Sequence, residues 1–140
     1  MNTSDRMKSF APVVLRVGLA LVFLWFGTQQ IMNTAMWIRL IPQSIIDISG
    51  LTAATLVHFN GAFEIVFGLC LLFGFFTRTV ALLLALHILD ITFVVGFNAT
   101  GVRDFGLSIA TIALFLLGPH SWSLDSWFST RNKQNGMQGQ

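Results

Sequence analysis

Charge is what this sequence has least of. Only 10% of its 140 residues are Asp, Glu, Lys or Arg, against roughly a quarter in an ordinary soluble domain. Hydrophobic residues make up 54%, and the mean hydropathy is +0.74. A chain of this length has no interior large enough to hide so much apolar surface from water, which excludes a soluble globular domain. Cysteine is nearly absent as well. Cys70 stands alone, so neither an intrachain disulfide nor a C-x-x-C redox pair can form, and it is expected to pack as a small hydrophobe. The formal charge of +2 is small, and its basic residues lie towards the ends rather than in a patch, so nucleic acid is not an expected partner. The acids are dispersed without ligand spacing, and no metal site is expected.

What remains is a succession of apolar runs. At about 20 residues per transmembrane helix, the chain holds four spans with short connections and no separate soluble domain. The expected architecture is all-α, an integral membrane four-helix bundle over 1–128 with spans at 12–31, 56–76, 80–97 and 103–118, followed by a polar, disordered tail at 129–140. The N-terminal stretch with Arg6 and Lys8 before an apolar run has the look of a signal peptide. Arg16 interrupts the run and no A-x-A site follows, so it is expected to stay as the first span. At about 100° per residue, Arg16, Ala20, Phe23, Gly27 and Gln30 fall on one stripe, which should face the bundle. The alternative for Arg16 is to snorkel towards the headgroups.

The segment 32–55 is broken by Arg39, Pro42, Asp47 and Gly50, yet contains Trp37 and several isoleucines. It should lie along the outer interface or cap the mouth of the bundle, with Trp37 at headgroup level. In the second span Gly61, Glu64 and Gly68 share a face on which small residues admit a neighbouring helix. A carboxylate inside such a span is by default a functional candidate. Residues 75–79, Phe-Phe-Thr-Arg-Thr, read as a tight turn, and in the third span Leu83, His87, Asp90 and Val94 share a face. The 96–101 segment reads as an outer turn, and its Asn98-Ala99-Thr100 glycosylation pattern is weak evidence at a helix end. In the fourth span Asp104, Ser108 and Thr111 form a stripe, with Asp104 expected to complement the dipole of the first turn. Trp122 and Trp127 are expected to anchor at the inner interface.

Basic residues beside the spans set the orientation. Arg6, Lys8, Arg16, Arg78, Arg131 and Lys133 fall on one side and only Arg39 and Arg103 on the other, so both termini are expected in the cytoplasm. Counted at 1.5 Å per residue, Glu64 and Asp90 each lie about 16 Å deep, so the second and third helices, packed as antiparallel neighbours, are expected to bring the two carboxyl groups together through a shared proton, with His87 one turn away. Haem is not expected, because His58 and His87 differ in depth by about 12 Å.

Arg16, Glu64 with Gly68 and Gly74-x-x-Thr77-Arg78, the Arg103-Asp104-Phe105-Gly106-Leu107 opening of the last span, and Gly118-Pro119 leading to Ser123-Leu124-Asp125 together resemble the DoxX family of small bacterial inner-membrane proteins. The likeness runs from Leu15 to Asp125. Where many members carry a lysine in a G-x-x-K pattern, this chain has Gly27-Thr28-Gln29-Gln30. The resemblance implies a four-helix, multi-pass protein of the bacterial inner membrane. Some relatives are subunits of thiosulfate:quinone oxidoreductase, and others are linked to redox-stress complexes.

Three functional classes stay open. The first is a redox-associated subunit handling quinone, with Glu64, Asp90 and His87 managing protons and Arg16, Gln30, Arg103 and Asp104 as bundle-facing ligand-binding groups. Its partners would be the lipid bilayer and a membrane or soluble redox protein. The second is a non-catalytic scaffold or assembly subunit whose buried polar groups only tie helices together. The third is a small transporter or proton pathway, for which four spans leave little room unless the protein forms a homo-oligomer.

Overall fold

In hydrocarbon every backbone N–H and C=O must be bonded within its own segment, so apolar runs of this length fold as helices. The computed structural model describes residues 3–96, 98–118 and 123–125. The described residues form six helices: α1 (Thr3–Met32), α2 (Thr34–Ile38), α3 (Gln43–Ser49), α4 (Ala53–Phe73), α5 (Thr77–Val95) and α6 (Ala99–Leu117). Four of them, α1 from Ser9 onward, α4, α5 and α6, are long and apolar enough to cross a membrane. The all-α, four-span architecture with short helices between the first two spans is as the sequence predicts. The polar tail 129–140, Trp122 and Trp127 lie outside the described residues.

Each long helix buries a stripe with a mostly alternating three- and four-residue spacing. In α1 it is Arg16, Ala20, Phe23, Gly27 and Gln30, and in α6 it is Gly101, Asp104, Ser108, Thr111 and Leu114. In α4 the stripe is Val57, Gly61, Glu64, Gly68 and Leu71. Three of these stripes are the ones read from the sequence. The third span differs. Its buried side is Ala81, Leu84, Ala85, Ile88 and Thr92, whereas Leu83 and Asp90 are exposed and His87 and Val94 half-buried. Alanines, aliphatic residues and Thr92 form the close-packed side of this helix, and His87 and Asp90 lie at its margin.

The small-residue face of α4 also meets a different partner from the one expected. It packs on α1, not on α5. A Cβ on Gly27 would stand 2.7 Å from the Gly61 carbonyl oxygen, and one on Gly61 would stand 2.9 Å from that of Gly27 and 3.0 Å from Gln30 Cβ. Backbones approach this closely only where both residues lack a side chain. The molecule is thus built from two intimate pairs, α1 with α4 and α5 with α6, while contact between α4 and α5 and between α1 and α6 is shorter. Ser108 secures the second pair by donating to the Ala85 carbonyl at 3.2 Å.

The helix ends are tied down by specific groups. Gly74 closes α4 in the left-handed conformation, φ 69°, and Phe76 opens α5 with φ 48°. A non-glycine residue held there costs on the order of 1–2 kcal/mol, and Asp125 offsets this by accepting from the Phe76 and Thr77 backbone N–H groups, each at 2.8 Å. Asp125 N–H in turn donates to the Gly74 carbonyl at 3.1 Å. The turn is therefore shorter than 75–79, because Thr77 already belongs to α5. At the opposite end Asn98 caps α6, its side-chain oxygen accepting from Thr100 and Gly101. Asp104 does not complement the dipole of the first turn as its place in the sequence suggests. Since α6 begins at Ala99, Asp104 lies beyond the first turn, buried and paired with Arg103.

The apolar core of Leu19, Ala20, Phe23, Leu71, Val80, Ala81, Leu84, Ile88 and Leu114 occupies the half of the bundle towards the α4–α5 turn, here called the turn end. The other half, the cap end, is roofed by α2 and α3.

Candidate functional site

Beneath that roof the two helix pairs diverge and enclose a cavity of about 320 Å³. Its walls are mainly apolar, with Phe26, Leu56, Ile88, Ile91 and Val94 among them, and its roof is Trp37, Leu40, Ile41 and Ile45. Trp37 is held by an edge-on contact with Phe26, ring centroids 5.9 Å apart. The 32–55 segment caps the mouth, and it keeps Met36, Ile48 and Leu51 exposed on its outer side, as an interfacial segment requires.

The polar groups of the cavity come from all four long helices: Gln30 from α1, Asn60 and Glu64 from α4, His87 and Asp90 from α5, and Thr100, Arg103 and Asp104 from α6. Glu64 is 2% exposed and accepts a hydrogen bond at Oε2 from Gln30 Nε2 at 3.1 Å. Its Oε1 lies 3.9 Å from His87 Nε2, beyond hydrogen-bond reach. His87 Nε2 is buried and has no hydrogen-bond partner among the described residues. The imidazole is steadied by the Phe63 ring, centroids 4.4 Å apart and 32° from parallel. Arg103 pairs with Asp104 Oδ1 at 2.7 Å and lies over the Phe26 ring at 4.4 Å.

Six of the seven sequence-predicted site residues therefore line one cavity: Glu64, His87, Asp90, Gln30, Arg103 and Asp104. The seventh, Arg16, does not. Fourteen residues separate it from Gln30, a rise of about 21 Å, and it lies at the turn end. It is 5% exposed rather than snorkelling, and it sits beside Gly74 and Ser123 with Asp125 as its electrostatic neighbour. The expected contact between Glu64 and Asp90 is likewise not formed. Glu64 is occupied by Gln30 and approached by His87, while Asp90 stands at the exposed rim. The cause is the helix pairing: the glycine face that carries Glu64 turns to α1, and α5 turns its alanines inward.

Phe26, Phe63, Asn60 and Thr100 belong to the site and carry no sequence signal that separates them from lipid-facing residues of the same types. His58 is engaged elsewhere, its Nε2 2.9 Å from the Thr34 hydroxyl. Among the described residues no three His, Cys, Asp or Glu side chains gather into a group able to hold a metal ion.

Comparison with curated proteins and with solved structures finds no match. A family model does match, over residues 11–96. That stretch carries α1, the cap, α4 and α5, and hence Gln30, Glu64, His87 and Asp90, whereas Arg103, Asp104 and Asp125 lie beyond it. With more than half of its length matched, and with four membrane-spanning helices, this chain is a multi-pass protein of the bacterial inner membrane that belongs to the DoxX family.

Proposed function

We propose that the cavity receives the headgroup of a quinone and that the protein serves as a redox-associated subunit of a membrane oxidoreductase, its electron donor being a partner protein. The observation that carries this reading is the pair of neighbouring groups, Glu64 Oε1 and His87 Nε2, 3.9 Å apart and not hydrogen-bonded to each other, on two residues that line one mainly apolar cavity. A ligand oxygen fits that arrangement, because it can accept from the imidazole while the carboxyl group exchanges a proton with it. A cavity of about 320 Å³ is at the lower end of the size range of small-molecule sites, roughly 300–1,000 Å³. Quinone, when bound, supplies two-electron, two-proton redox chemistry.

The chain supplies the rest. Gln30 holds Glu64 Oε2, which leaves Oε1 facing the cavity. Phe63 fixes the imidazole plane. The roof from Trp37 to Ile45 keeps bulk water from the bound headgroup, and in such a low-dielectric setting each hydrogen bond gains strength. Asp90 at the rim, one turn from His87, is placed to exchange a proton with the imidazole. The excess of basic residues beside the turn end supports placing both termini in the cytoplasm and the cap on the opposite side.

The test uses protein extracted mildly from its native membrane, with mass spectrometry of bound quinone and partner chains. Glu64→Gln and Asp90→Asn keep hydrogen bonding but cannot carry a proton. Both variants are expected to assemble normally and to lose quinone reduction by about 100-fold, a typical share for general acid–base catalysis. The scaffold reading is favoured by one observation, the Gln30–Glu64 bond that ties α1 to α4. Under it the amide variants keep function, and only Glu64→Leu weakens assembly. A reporter active only outside the cytoplasm should be silent when fused after Gln140 and active when inserted at Asn98; the reverse pattern overturns the orientation.

A further inference from the structure

The cavity is closed on four sides by something definite and on the fifth by nothing comparable. The α1/α4 seam is shut by Gly27 against Gly61, the α5/α6 seam by the packing of those helices along their length, the α1/α6 seam by Arg103 laid over the Phe26 ring at 4.4 Å, and the top by Trp37 to Ile45. Between α4 and α5 the one ring contact among the described residues is Phe63 on His87, with Phe67 behind Phe63 at 4.4 Å. These rings seal the seam below the cavity. One turn nearer the cap, the residues that face the seam are Phe59 and Asn60 on α4 and Asp90, Ile91 and Val94 on α5. Phe59 lines the cavity yet is 67% exposed, and Asp90 lines it and is exposed as well. Arg103 and Leu40 also line the cavity and are exposed, but Arg103 is laid over Phe26 across the α1/α6 seam and Leu40 belongs to the roof, whereas Phe59 and Asp90 border a seam across which no ring contact lies above Phe63 among the described residues.

The depth of this opening decides what passes through it. Asp90 is five residues from the end of α5 at Val95, about 8 Å below the cap-side end at 1.5 Å per residue, which is inside the hydrocarbon and not at its aqueous surface. A carboxyl group turned out into acyl chains there is costly. At a mouth used by polar headgroups it is a gatepost.

We infer that the gap between α4 and α5 above Phe63 and His87 is a lateral mouth open to the membrane, through which a lipid-soluble amphiphile slides its hydrogen-bonding head past Asp90 onto Gln30, Glu64 and His87 while its tail stays between Phe59 and Phe93 in the lipid. This rests on the reading of the cavity as a headgroup site and adds the route and the class of ligand: one polar head, one long apolar tail, delivered from the bilayer and not from water. Exposed Phe59, at 67%, and Phe93, at 71%, flank the mouth and offer that tail flat apolar contact.

The experiment traps an amphiphile in the mouth with light. The probe is a long-chain fatty acid carrying a diazirine beside its carboxyl group, dissolved in liposomes that contain the full-length protein, with adducts mapped by peptide mass spectrometry. Adducts are expected on Ile91 and Leu56 inside the cavity, reduced by about tenfold in Val94→Trp, which narrows the mouth, and unchanged in Ile45→Trp, which thickens the roof. Adducts confined to outward residues such as Val66 and Leu86 overturn the lateral mouth, as does loss of cavity adducts in Ile45→Trp with retention in Val94→Trp. A quinone competitor separates this from the function proposed above. If the cavity is labelled but no quinone suppresses the label, the mouth stands and the quinone assignment falls. If quinone copurifies and the cavity is not labelled, the site stands and the lateral route falls.

Discussion

The two ends of the bundle use buried polar groups in opposite ways. At the turn end the chain engages most such groups itself, the Thr77 hydroxyl being without a hydrogen-bond partner among the described residues: Asp125 caps α5 through two backbone N–H groups, is the electrostatic neighbour of Arg16, and is itself held by the Gly74 carbonyl. Gly74 is the only residue that fits there, since a Cβ would collide with Arg16 and Ser123. At the cap end the polar groups leave bonding capacity open. His87 Nε2 is unpartnered among the described residues, Glu64 keeps one oxygen towards the cavity, and Asp90 stands at the rim. Hydrocarbon penalises an unsatisfied polar group by several kcal/mol, so the largely satisfied first arrangement is what stability favours. The second is retained at a cost, as the proposed headgroup site requires.

That contrast can be broken at its hinge, the glycine crossing that holds α1 to α4 beneath the cavity. Gly61→Leu drives a side chain into the Gly27 carbonyl and Gln30, and the expected loss is about 3 kcal/mol or more, with both ends failing together. Thermal unfolding in detergent measures it. A near-normal midpoint would mean that the pair is held elsewhere. Asp125→Ala should divide the two ends. Removal of the α5 cap costs about 1–2 kcal/mol and lowers the unfolding midpoint, while ligand occupancy of the cavity, read by copurified quinone, stays as in the parent. A fall in occupancy at unchanged stability would show that the ends are coupled. The smallest effect is expected at Gly106, where a Cβ meets nothing within 4 Å. Gly106→Ala should leave stability within about 0.5 kcal/mol, or raise it slightly, because it adds helix propensity without strain. A larger loss would reveal a partner against that face of α6.

Much of this was legible in the residues. Glu64 was conspicuous because a carboxylate is rare in such a run, and Gly61 and Gly68 beside it announced a close helix contact. The contact is there. Its partner was misassigned, because a short turn between the second and third spans makes them sequence neighbours without making their buried faces meet. Asp90 followed the same error: it shares a helix face with His87, and only the rotation of α5 shows that this face is the margin of the bundle. Asp125 carried no local signal of its role, since the N–H groups it accepts from are nearly fifty residues earlier. Phe63 and Asn60 looked like any phenylalanine or asparagine on an apolar helix.

The sequence by itself determined the number of spans and the stripes of α1, α4 and α6, and it left the segment before α4 open between an interfacial and a capping position. These depend on hydropathy and on the rise and turn of a single helix, and in a bilayer each helix satisfies its own backbone regardless of its neighbours. Only the tertiary structure decided that α1 pairs with α4 and α5 with α6, that Arg16 belongs to a cluster at one end while Gln30 belongs to a cavity at the other, and that contact between α4 and α5 is the shorter kind. Such choices turn on which small-residue faces can meet without collision. That is a property of two surfaces at once, and no single stretch of chain contains it.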